Sequence, residues 1–417
     1  MSRSTRTGGR EATKGVIPGR IALSVGRPEE LPEPPGFSWC ILSDIAHLES
    51  GHTPSRSRDE YWGGKIPWIG IRDATANHGK VIDNTLDRVT QEGLDNSSAR
   101  ILPARTVCLS RTASVGFVVE MGRPMATSQD FVNWICGPQL NSSYLRYIFM
   151  LEQDSVRRFA HGTTHQTMYY PEAKALNVLV PTRRQQDAIV AVLGALDDKI
   201  VINEMVIATM DELAATLARS TFKRSEVSLS AIATVTMGSS PPGTSYNEDG
   251  TGTPFYQGVR DFGPRFPKRR VWTTEPVRSA EATDTLLSVR APVGRMNLAE
   301  ESLCLGRGLA GLRSKEGRPM TLFHQVRAAH REWIPYEAEG TVFGAINKAQ
   351  LELVSVPAIE ESRGLWLEEK LVAMESHIAT LLVENERLVQ TRDELLPLLM
   401  AGKIRVRDAE RQVEEQL

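Results

Sequence analysis

Apolar residues recur three and four positions apart in two long stretches of the chain. The first stretch runs from about 183 to 219 without a proline, and the second ends near position 404. This spacing is the heptad pattern of long helices that pack against another helix. The predicted seam positions of the first helix are Ile189, Val192, Leu196, Lys199 beside Ile200, Asn203, Val206, Met210, Leu213 and Leu217. Those of the second helix are Leu371, Met374, Ile378, Leu381, Asn385, Leu388, Arg392, Leu395 and Leu399.

Each seam carries one asparagine, and Asn203 and Asn385 occupy equivalent places in the two patterns. A polar residue in an apolar seam lowers stability but fixes register and partner. We therefore expect the two asparagines to set the register, the alternative being that both are tolerated at partly exposed positions. Pro397 lies inside the second pattern and is expected to kink or end that helix.

Short strings from the first half of the chain return in the same order in the second half. Residues 42–46 match 229–233, 51–54 match 238–241, 71–73 match 259–261, 110–116 match 288–294, and 162–163 match 340–341. A repeat of about 180 residues is too long for a solenoid. The sequence therefore predicts a duplicated globular domain with a duplicated connecting helix, related by a pseudo-twofold.

The globular part of each repeat contains short β-type runs separated by glycine and proline. Such runs occupy 106–110, 117–119 and 176–180 in the first repeat and 351–356 in the second. No regular strand–helix–strand alternation is present, so we expect an irregular α+β fold. The predicted segments are a flexible N-terminal tail (1–36), a first domain (37–182), a first long helix (183–222), a second domain (223–358), a second long helix (359–404) and a polar C-terminal tail (405–417).

Composition narrows the class of protein. The four cysteines among 417 residues have no paired spacing, which predicts a reducing compartment and no disulfide framework. No apolar run approaches the ~18 residues of a membrane span, and we expect a cytoplasmic protein. The net charge of −2 does not indicate nucleic acid, although DNA contacts only a local face.

Catalytic motifs are missing from the sequence. It contains neither a phosphate-binding Gly-x-x-x-x-Gly-Lys-Ser/Thr loop nor a nucleophile elbow. Ser240-Pro241-Pro242-Gly243 lacks the polar and aromatic ends of a methyltransferase loop. His161 and His165 have no evident third partner for a metal. The sequence therefore predicts a protein that neither catalyses a reaction nor holds a metal.

Basic and amide side chains are clustered in both globular parts, as expected where phosphates and base edges are bound. In the first domain the candidates are Arg56, Arg58, Tyr61, Lys65, Arg72, Lys80, Arg105, Arg111, Thr163, Thr164, His165 and Gln166. In the second they are Arg260, Arg265, Lys268, Arg269, Arg270, Arg290, Arg295, Arg307, Asn347 and Lys348. For any single arginine the alternative is a solvated surface charge, and Trp62 and Trp68 are expected to be packing residues.

Several strings resemble the specificity subunit of a bacterial type I restriction–modification system. They are Gly-His-Thr-Pro at 51–54, Tyr-Trp-Gly-Gly at 61–64, Ile-Pro-Trp-Ile-Gly-Ile-Arg-Asp at 66–73, the glycine–threonine loop at 162, and Asp-Lys-Ile at 198–200 with Asn203. The resemblance extends from about Phe37 to Ile404.

This resemblance implies two tandem target-recognition domains, each of which reads one half of a split, asymmetric DNA sequence. The two long helices would form an antiparallel coiled-coil spacer between them. The implied partners are double-stranded DNA, two methyltransferase subunits and, in some complexes, restriction subunits. S-adenosylmethionine would be bound by the methyltransferase subunits, and ATP and magnesium by the restriction subunits, so this chain would hold no cofactor.

Two other classes of protein stay open at this point. A self-contained restriction–methylation enzyme, or a fragment of one, is opposed by the missing catalytic motifs. A coiled-coil scaffold without a DNA role is opposed by the basic stretches in both repeats.

Overall fold

A computed structural model describes residues 15–26, 28, 31, 33–162, 166–336 and 344–414. Its contacts divide the chain into two compact units. Unit 1 contains Met1–Ile200 with Glu386–Leu417, and unit 2 contains Val201–Asn385. Each long helix thus contributes to both units, whereas the predicted domain limits leave the helices outside the globular parts.

Unit 1 combines short strands with short helices and parts of both long helices. Its strands are β1 (Ile17–Pro18), β2 (Leu23–Val25), β3 (Phe37–Ile41), β4 (Ala46–Ser50), β5 (Trp62–Ile69), β6 (Val81–Ile82), β7 (Asp87–Val89), β8 (Val107–Ser110), β9 (Val118–Met121), β10 (Ala126–Thr127), β11 (Phe131–Cys136) and β12 (Leu176–Pro181). Its helices are α1 (Leu42–Ile45), α2 (Ile71–Ala76), α3 (Gln91–Asp95), α4 (Ser142–Leu151), α5 (Gln153–Phe159), α6 (Tyr170–Lys174) and the first part of α7 (Arg183–Thr221).

The strands of unit 1 form three sheets within the described residues, in the orders β1-β2-β12-β3, β10-β5-β7 and β4-β11-β8-β9-β6. The alternation of apolar residues explains the largest of them, since Val107 and Leu109 on β8 and Val132 and Trp134 on β11 are fully buried. α4 packs on β8 and β9. Its aromatic residues complete a core that also includes Leu196 of α7.

Unit 2 repeats this arrangement with a second set of elements. Its strands are β13 (Phe222–Ser228), β14 (Ala233–Met237), β15 (Tyr246–Asn247), β16 (Thr253–Tyr256), β17 (Trp272–Thr273), β18 (Ser279–Ala280), β19 (Thr285–Ser288), β20 (Met296–Leu298), β21 (Leu303–Leu305), β22 (Leu309–Ser314) and β23 (Ser355–Ile359). Its helices are α8 (Leu229–Ile232), α9 (Pro319–Ala328), α10 (Lys348–Leu353) and parts of α7 and α11 (Gly364–Met400). A last helix, α12 (Val406–Glu414), belongs to unit 1.

The strand pairings of unit 2 correspond to those of unit 1. β14-β22-β19-β20 matches β4-β11-β8-β9, and β13-β23 matches β3-β12. The parallel pair β16 and β21 likewise matches the parallel pair β5 and β10. This common topology agrees with the sequence repeat, and both units have the α+β character expected from it.

Helices α7 and α11 pack against each other within each unit. In unit 1, Ile189 and Leu196 share a buried core with Leu395. In unit 2, Ala214 and Ala218 share one with Leu371, and Leu217 packs on its edge. Ile378 is fully buried, and Met210 is partly buried. Asn203 donates from Nδ2 to the Asn385 side-chain oxygen at 2.9 Å.

Two predicted seam positions of α7 are wrong. Val206 is 36% exposed and Leu213 is 52% exposed. From Asn203 onward the inward-facing positions follow at spacings of four, three, four and three residues, whereas the predicted spacings were three, four, three and four. The buried position after Met210 is therefore Ala214 and not Leu213.

The predicted flexible tail at 1–36 is wrong for residues 17–25. β2 lies between β1 and β12 in the sheet, and Leu23 and Val25 are buried. The backbone amides of Ile21 and Ala22 donate to the buried Glu152 carboxylate at 2.6 and 2.7 Å. These contacts come from a residue more than a hundred positions away, so local composition could not reveal them.

The C-terminal part of the chain also departs from the prediction. Residues 406–414 of the predicted polar tail form α12, and its Ala409 and Val413 are buried in the core of unit 1. Residues 348–353, partly predicted as strand, form α10, because Asn347 caps the helix by accepting from the amide of Gln350 at 3.0 Å. α11 begins at Gly364 rather than 359, and it continues past Pro397 to Met400.

Among the described helices, none is both long and apolar enough to cross a membrane.

The paired asparagines allow a test of their contribution to stability. Asn203→Leu leaves the Asn385 amide against an apolar side chain, and we expect the free energy of unfolding to fall by about 1–3 kcal/mol. The double variant Asn203→Leu/Asn385→Leu should regain this loss, because an apolar pair suits the seam. Urea unfolding measures both, with Ala208→Leu, exposed on the same helix, as control. A double variant as unstable as the single one would contradict the pairing.

Candidate nucleic-acid interface

Several loops meet at one end of the central sheet in unit 1. β4 and β8 both run antiparallel to β11, so the loops after β4 and β8 lie beside the loop that precedes β11. The loop after β5 joins them, because the amide of Ser128 donates to the carbonyl of Ile69 at 3.0 Å. We call residues 51–54, 70–72, 111–114, 127–130 and 166–168 the unit 1 loop end.

Hydrogen bonds hold this loop end together. The amide of His52 donates to the carbonyl of Thr127 at 2.9 Å, and the buried Trp68 indole donates to the carbonyl of His52 at 3.1 Å. The amide of Met168 donates to the carbonyl of Arg111 at 2.8 Å. The loops are therefore fixed to one another by backbone groups, which leaves side chains free to project from them.

Unit 2 has an equivalent loop end, formed by residues 238–241, 257–260, 289–294, 305–308 and 344–346. The amide of Ser239 donates to the carbonyl of Leu305 at 2.9 Å, which matches the bond from His52 to Thr127. The amide of Ile346 donates to the carbonyl of Val289 at 3.0 Å, which matches the bond from Met168 to Arg111. The two loop ends thus share one hydrogen-bonding framework.

The turn after β8 and the turn after β19 give the closest match. In unit 1 the Ser110 hydroxyl donates to the carbonyl of Ser114 at 2.5 Å. In unit 2 the Ser288 hydroxyl donates to the carbonyl of Pro292 at 2.7 Å. Both turns then reach a glycine in the left-handed region, Gly116 and Gly294. The repeated strings found in the sequence therefore share this hydroxyl-to-carbonyl hydrogen bond and the left-handed glycine that follows it.

Three of the candidates from the first domain lie at the unit 1 loop end. Arg111 donates from Nε to the carbonyl of Gln129 at 3.2 Å and lies over the ring of Tyr170. Arg72 and Gln166 are exposed. Thr163, Thr164 and His165 lie outside the described residues.

Other candidates of the first domain make structural contacts. The Arg56 guanidinium lies 3.6 Å from the centre of the Trp62 ring and pairs with Asp87 at 2.8 Å. Arg58 pairs with Glu60 at 3.3 Å. Arg56 therefore supports the aromatic cluster beside the loop end, as the packing role expected for the tryptophans suggests.

The remaining candidates of unit 1 lie along the strands. Arg105 precedes β8, at the opposite end of the strand from the loop end, and pairs with the buried Glu120 at 3.2 Å. Lys80 accepts a hydrogen bond from the amide of Glu120 through its carbonyl. Lys65 on β5 is exposed, and Tyr61 is partly buried. None of these four belongs to the unit 1 loop end.

In unit 2 the structure brings Arg290 and Arg307 together. Both line an open cavity of about 280 Å³ at the loop end, along with Ser240 and Gln257. Arg260 and Arg295 are exposed on the same loops.

The cations of the basic stretch 265–270 differ in whether they pair with a carboxylate. Lys268 is exposed. Arg269 pairs with Glu301 at 2.7 Å, and Arg270 pairs with Asp261 at 2.8 Å. The four cations that look alike in the sequence therefore differ in the charge that they leave available.

Arg265 is a correction to the predicted interface. It is 7% exposed, and its guanidinium lies between Asp211 of α7 and Glu375 of α11, with Nε 3.2 Å from a Glu375 carboxylate oxygen. Asn347 and Lys348 also have local roles, since Asn347 caps α10 and Lys348 pairs with Glu352 at 3.6 Å. The buried partners of Arg265 come from distant parts of the chain and leave no local signal, whereas the partners of Asn347 and Lys348 lie within four positions of them.

An aspartate of α7 connects the globular part of each unit to the long helix. In unit 2, Asp211 accepts two hydrogen bonds from Arg327 of α9, at 2.8 and 2.6 Å. In unit 1, Asp197 accepts from the hydroxyl of Tyr147 on α4 at 2.6 Å and from Arg392 of α11 at 3.0 Å. Arg392 was predicted only as a seam position, and neither aspartate was predicted to make these contacts.

Burial opposes ionisation of Asp211, but the hydrogen bonds and charges of Arg327 and Arg265 outweigh it and lower the pKa to about 2. A carboxyl whose pKa is lower in the folded than in the unfolded state stabilises the fold when it is ionised. This contribution is present above the unfolded pKa of ~3.9 and is lost as the pH falls towards 2.

Several neutral side chains at the unit 1 loop end were also not among the predicted candidates. Thr53 bonds to the Gln129 side chain, and Thr112 bonds to Thr167 at 3.0 Å. An alignment of the two repeats that extended past residue 116 could have found such positions. Thr127 of unit 1 corresponds to Leu305 of unit 2, so Gln129, two residues later, corresponds to Arg307.

Comparisons with known proteins give a family match in the first half of the chain. Residues 39–210 match the family model described as the type I restriction modification DNA specificity domain. Residues 39–210 thus resemble a type I DNA specificity domain. The matched segment, residues 39–210, includes the whole unit 1 loop end and most of α7.

Curated relatives support the same assignment. The chain is 37% identical over 176 residues to the MjaX type I restriction enzyme specificity subunit of Methanocaldococcus jannaschii, an alignment that covers 42% of this chain and 41% of the relative. It is 32% identical over 156 residues to the HindI specificity subunit of Haemophilus influenzae, with 36% and 33% covered. The chain thus spans about two fifths or less of the length of these curated relatives.

A solved structure matches a larger share of the chain. The type I restriction–modification S subunit from M. genitalium has a TM-score of 0.58 and 15% identity, and the match covers 90% of this chain and 98% of that one. At this identity the likeness concerns the fold, and it extends beyond residues 39–210 into unit 2.

The charge pair between α7 and α9 can be tested by its pH dependence. At neutral pH, Asp211→Asn should lower the free energy of unfolding by about 2–3 kcal/mol, somewhat less than the ~3–5 kcal/mol for a fully buried pair, because Asp211 is 25% exposed. The difference from wild type should shrink as the pH falls from about 4 to about 2. Denaturant unfolding at several pH values measures this, with the exposed neighbour substitution Glu212→Gln as control. A pH-independent difference would refute the charge contribution.

Proposed function

We propose that this chain is the non-catalytic DNA sequence-specificity subunit of a type I restriction–modification complex, in which each unit reads one half of a split, asymmetric target. The observation that carries the proposal is the pair of loop ends with one backbone framework and different side chains. A shared framework lets both units approach DNA in the same way, and different side chains let them select different bases.

The catalytic steps belong to partners in this proposal. Two methyltransferase subunits would supply S-adenosylmethionine and methyl transfer, and restriction subunits, in complexes that have them, would supply ATP-driven cleavage with magnesium. This chain would bind double-stranded DNA and dock those subunits in the cytoplasm.

Helices α7 and α11 would act as the antiparallel coiled-coil spacer. Within unit 2, Asn203 meets Asn385, while the later positions Ala214 and Ala218 share a core with the earlier position Leu371. The residue numbers of the contacting positions thus rise along α7 while they fall along α11, as in an antiparallel pair. The asparagine pair would fix the register of the spacer.

An exposed apolar stripe on α7 is the surface that we assign to methyltransferase docking. Val201, Ile202, Met205 and Val206 lie on one face of the helix, and Ile202 and Met205 are 56% and 65% exposed. Contiguous exposed apolar surface of this kind favours a protein partner.

Exchanging one unit tests the two-reader proposal. Residues 15–182, which include β1 and β2, would be replaced by the matching segment of a related specificity subunit, and the complex expressed with methyltransferase subunits. Mapping of methylated bases in the host genome should give a target in which one half has changed and the other is retained, because distant sites contribute independently. A change in both halves would contradict the model.

Charges on the α7 stripe should weaken assembly. Ile202→Glu/Met205→Glu is expected to reduce affinity for methyltransferase subunits about tenfold or more, since anchors at an interface centre dominate binding. Calorimetry or analytical ultracentrifugation measures this effect. His377→Glu, exposed on α11, is the control. Unchanged affinity in the double variant would place docking elsewhere.

A further inference from the structure

The cavity at the unit 2 loop end has an unusual set of lining groups. Four loops contribute to it, and they present Ser240, Gln257, Arg290 and Arg307. Among the described residues that line it, none is acidic. A ligand in this cavity would therefore meet two guanidinium groups, an amide and a hydroxyl.

The backbone that carries these side chains is fixed. The amide of Gly308 donates to the carbonyl of Gln257 at 3.0 Å, and the amide of Val289 donates to the carbonyl of Gly308 at 2.9 Å. A Cβ on Gly308 would lie 2.3 Å from the carbonyl oxygen of Gln257, so only glycine fits there. A fixed backbone limits the ordering that binding requires.

Arg290 and Arg307 also differ from their neighbours in charge pairing. Arg269 and Arg270 are paired with carboxylates. In the part of the chain that the structure describes, Arg290 and Arg307 have no such partner, and both are exposed. Their donors are therefore available to an external acceptor.

The matching positions of unit 1 hold neutral side chains. The carbonyls of Arg111 in unit 1 and Val289 in unit 2 accept equivalent hydrogen bonds. Thr112, the residue after Arg111, therefore corresponds to Arg290, the residue after Val289. By the same framework, Gln129 of unit 1 corresponds to Arg307. One pair of positions thus carries a hydroxyl and an amide in unit 1 and two guanidinium groups in unit 2.

We propose that Arg290 and Arg307 read guanine in the half-target of unit 2, an assignment that rests on the proposed function. Guanine presents two acceptors, O6 and N7, to the major groove, and arginine binds both at once. A phosphate would accept from the arginine and amide donors but would leave the acceptor oxygen of Gln257 unused, whereas a G·C pair also presents the donating N4 amino group of cytosine. The mixed lining of the cavity favours a base edge.

The test compares Arg290→Thr and Arg307→Gln, which install the side chains of unit 1 on the same framework. The full chain, bound to methyltransferase subunits, would select from duplexes with a randomised target, and the selected DNA would be sequenced. The half-target of unit 2 is the half that the exchange of residues 15–182 leaves unchanged. Arg295→Ala, exposed on the same turn but outside the cavity, is the matched control.

Wild type should select guanine in this half, and each variant should lose the preference at one guanine position while the other half-target is kept. Affinity for the wild-type target should fall about 5- to 150-fold. Arg295→Ala should retain the preference. Thermal unfolding of each variant confirms that the fold is intact.

Three results would overturn the assignment. Wild type could select a half-target without guanine, or the variants could retain the wild-type preference. A uniform loss of affinity on all sequences with a weaker salt dependence would mean a phosphate contact. If wild type selected no sequence in either half, the proposed function itself would fail, and this assignment with it.

Discussion

In both units, hydrogen bonds to a carboxylate of α7 determine where the globular part meets the long helix. Each unit packs an α+β body on the apolar stripe of a long helix, and the carboxylates add directional contacts to this packing. Asp211 binds Arg327 in unit 2, and Asp197 binds Tyr147 and Arg392 in unit 1. Because these groups are wholly or partly buried, each charge needs its partner in place, so the contacts define the position of the helix within each unit.

The same contacts explain which parts of the molecule the sequence could predict. Helix α7 and the matched turns follow from local patterns, namely heptad spacing and repeated strings around Ser110 and Ser288. Arg265 was not distinguishable from Arg269, because its burial depends on Asp211, which lies 54 positions away. The strand β2 escaped prediction for a similar reason, since its pairing with β12 is long-range.

The sequence predicted a nucleic-acid interface in both repeats but not which residues form it. Basic residues in both repeats indicated binding, and the structure divides them by their partners: Arg56 stacks on Trp62, while Arg290 lines an open cavity. Charge counts along the sequence cannot make this division, because a carboxylate that neutralises an arginine is often remote in sequence. Alignment of the two repeats carries information that composition lacks, since it locates equivalent positions that differ in chemistry.

The close packing of glycines beneath the unit 2 cavity has an evolutionary consequence. Gly308 contacts the backbone at Gln257, and a Cβ on Gly238 would lie 2.1 Å from the carbonyl oxygen of Gly306, so the loops hold one another through main-chain atoms. A side chain on such a support can be replaced without shifting its neighbours. Mutation can then sample new surface chemistries one position at a time, and lineages can diversify rapidly while the scaffold stays under purifying selection.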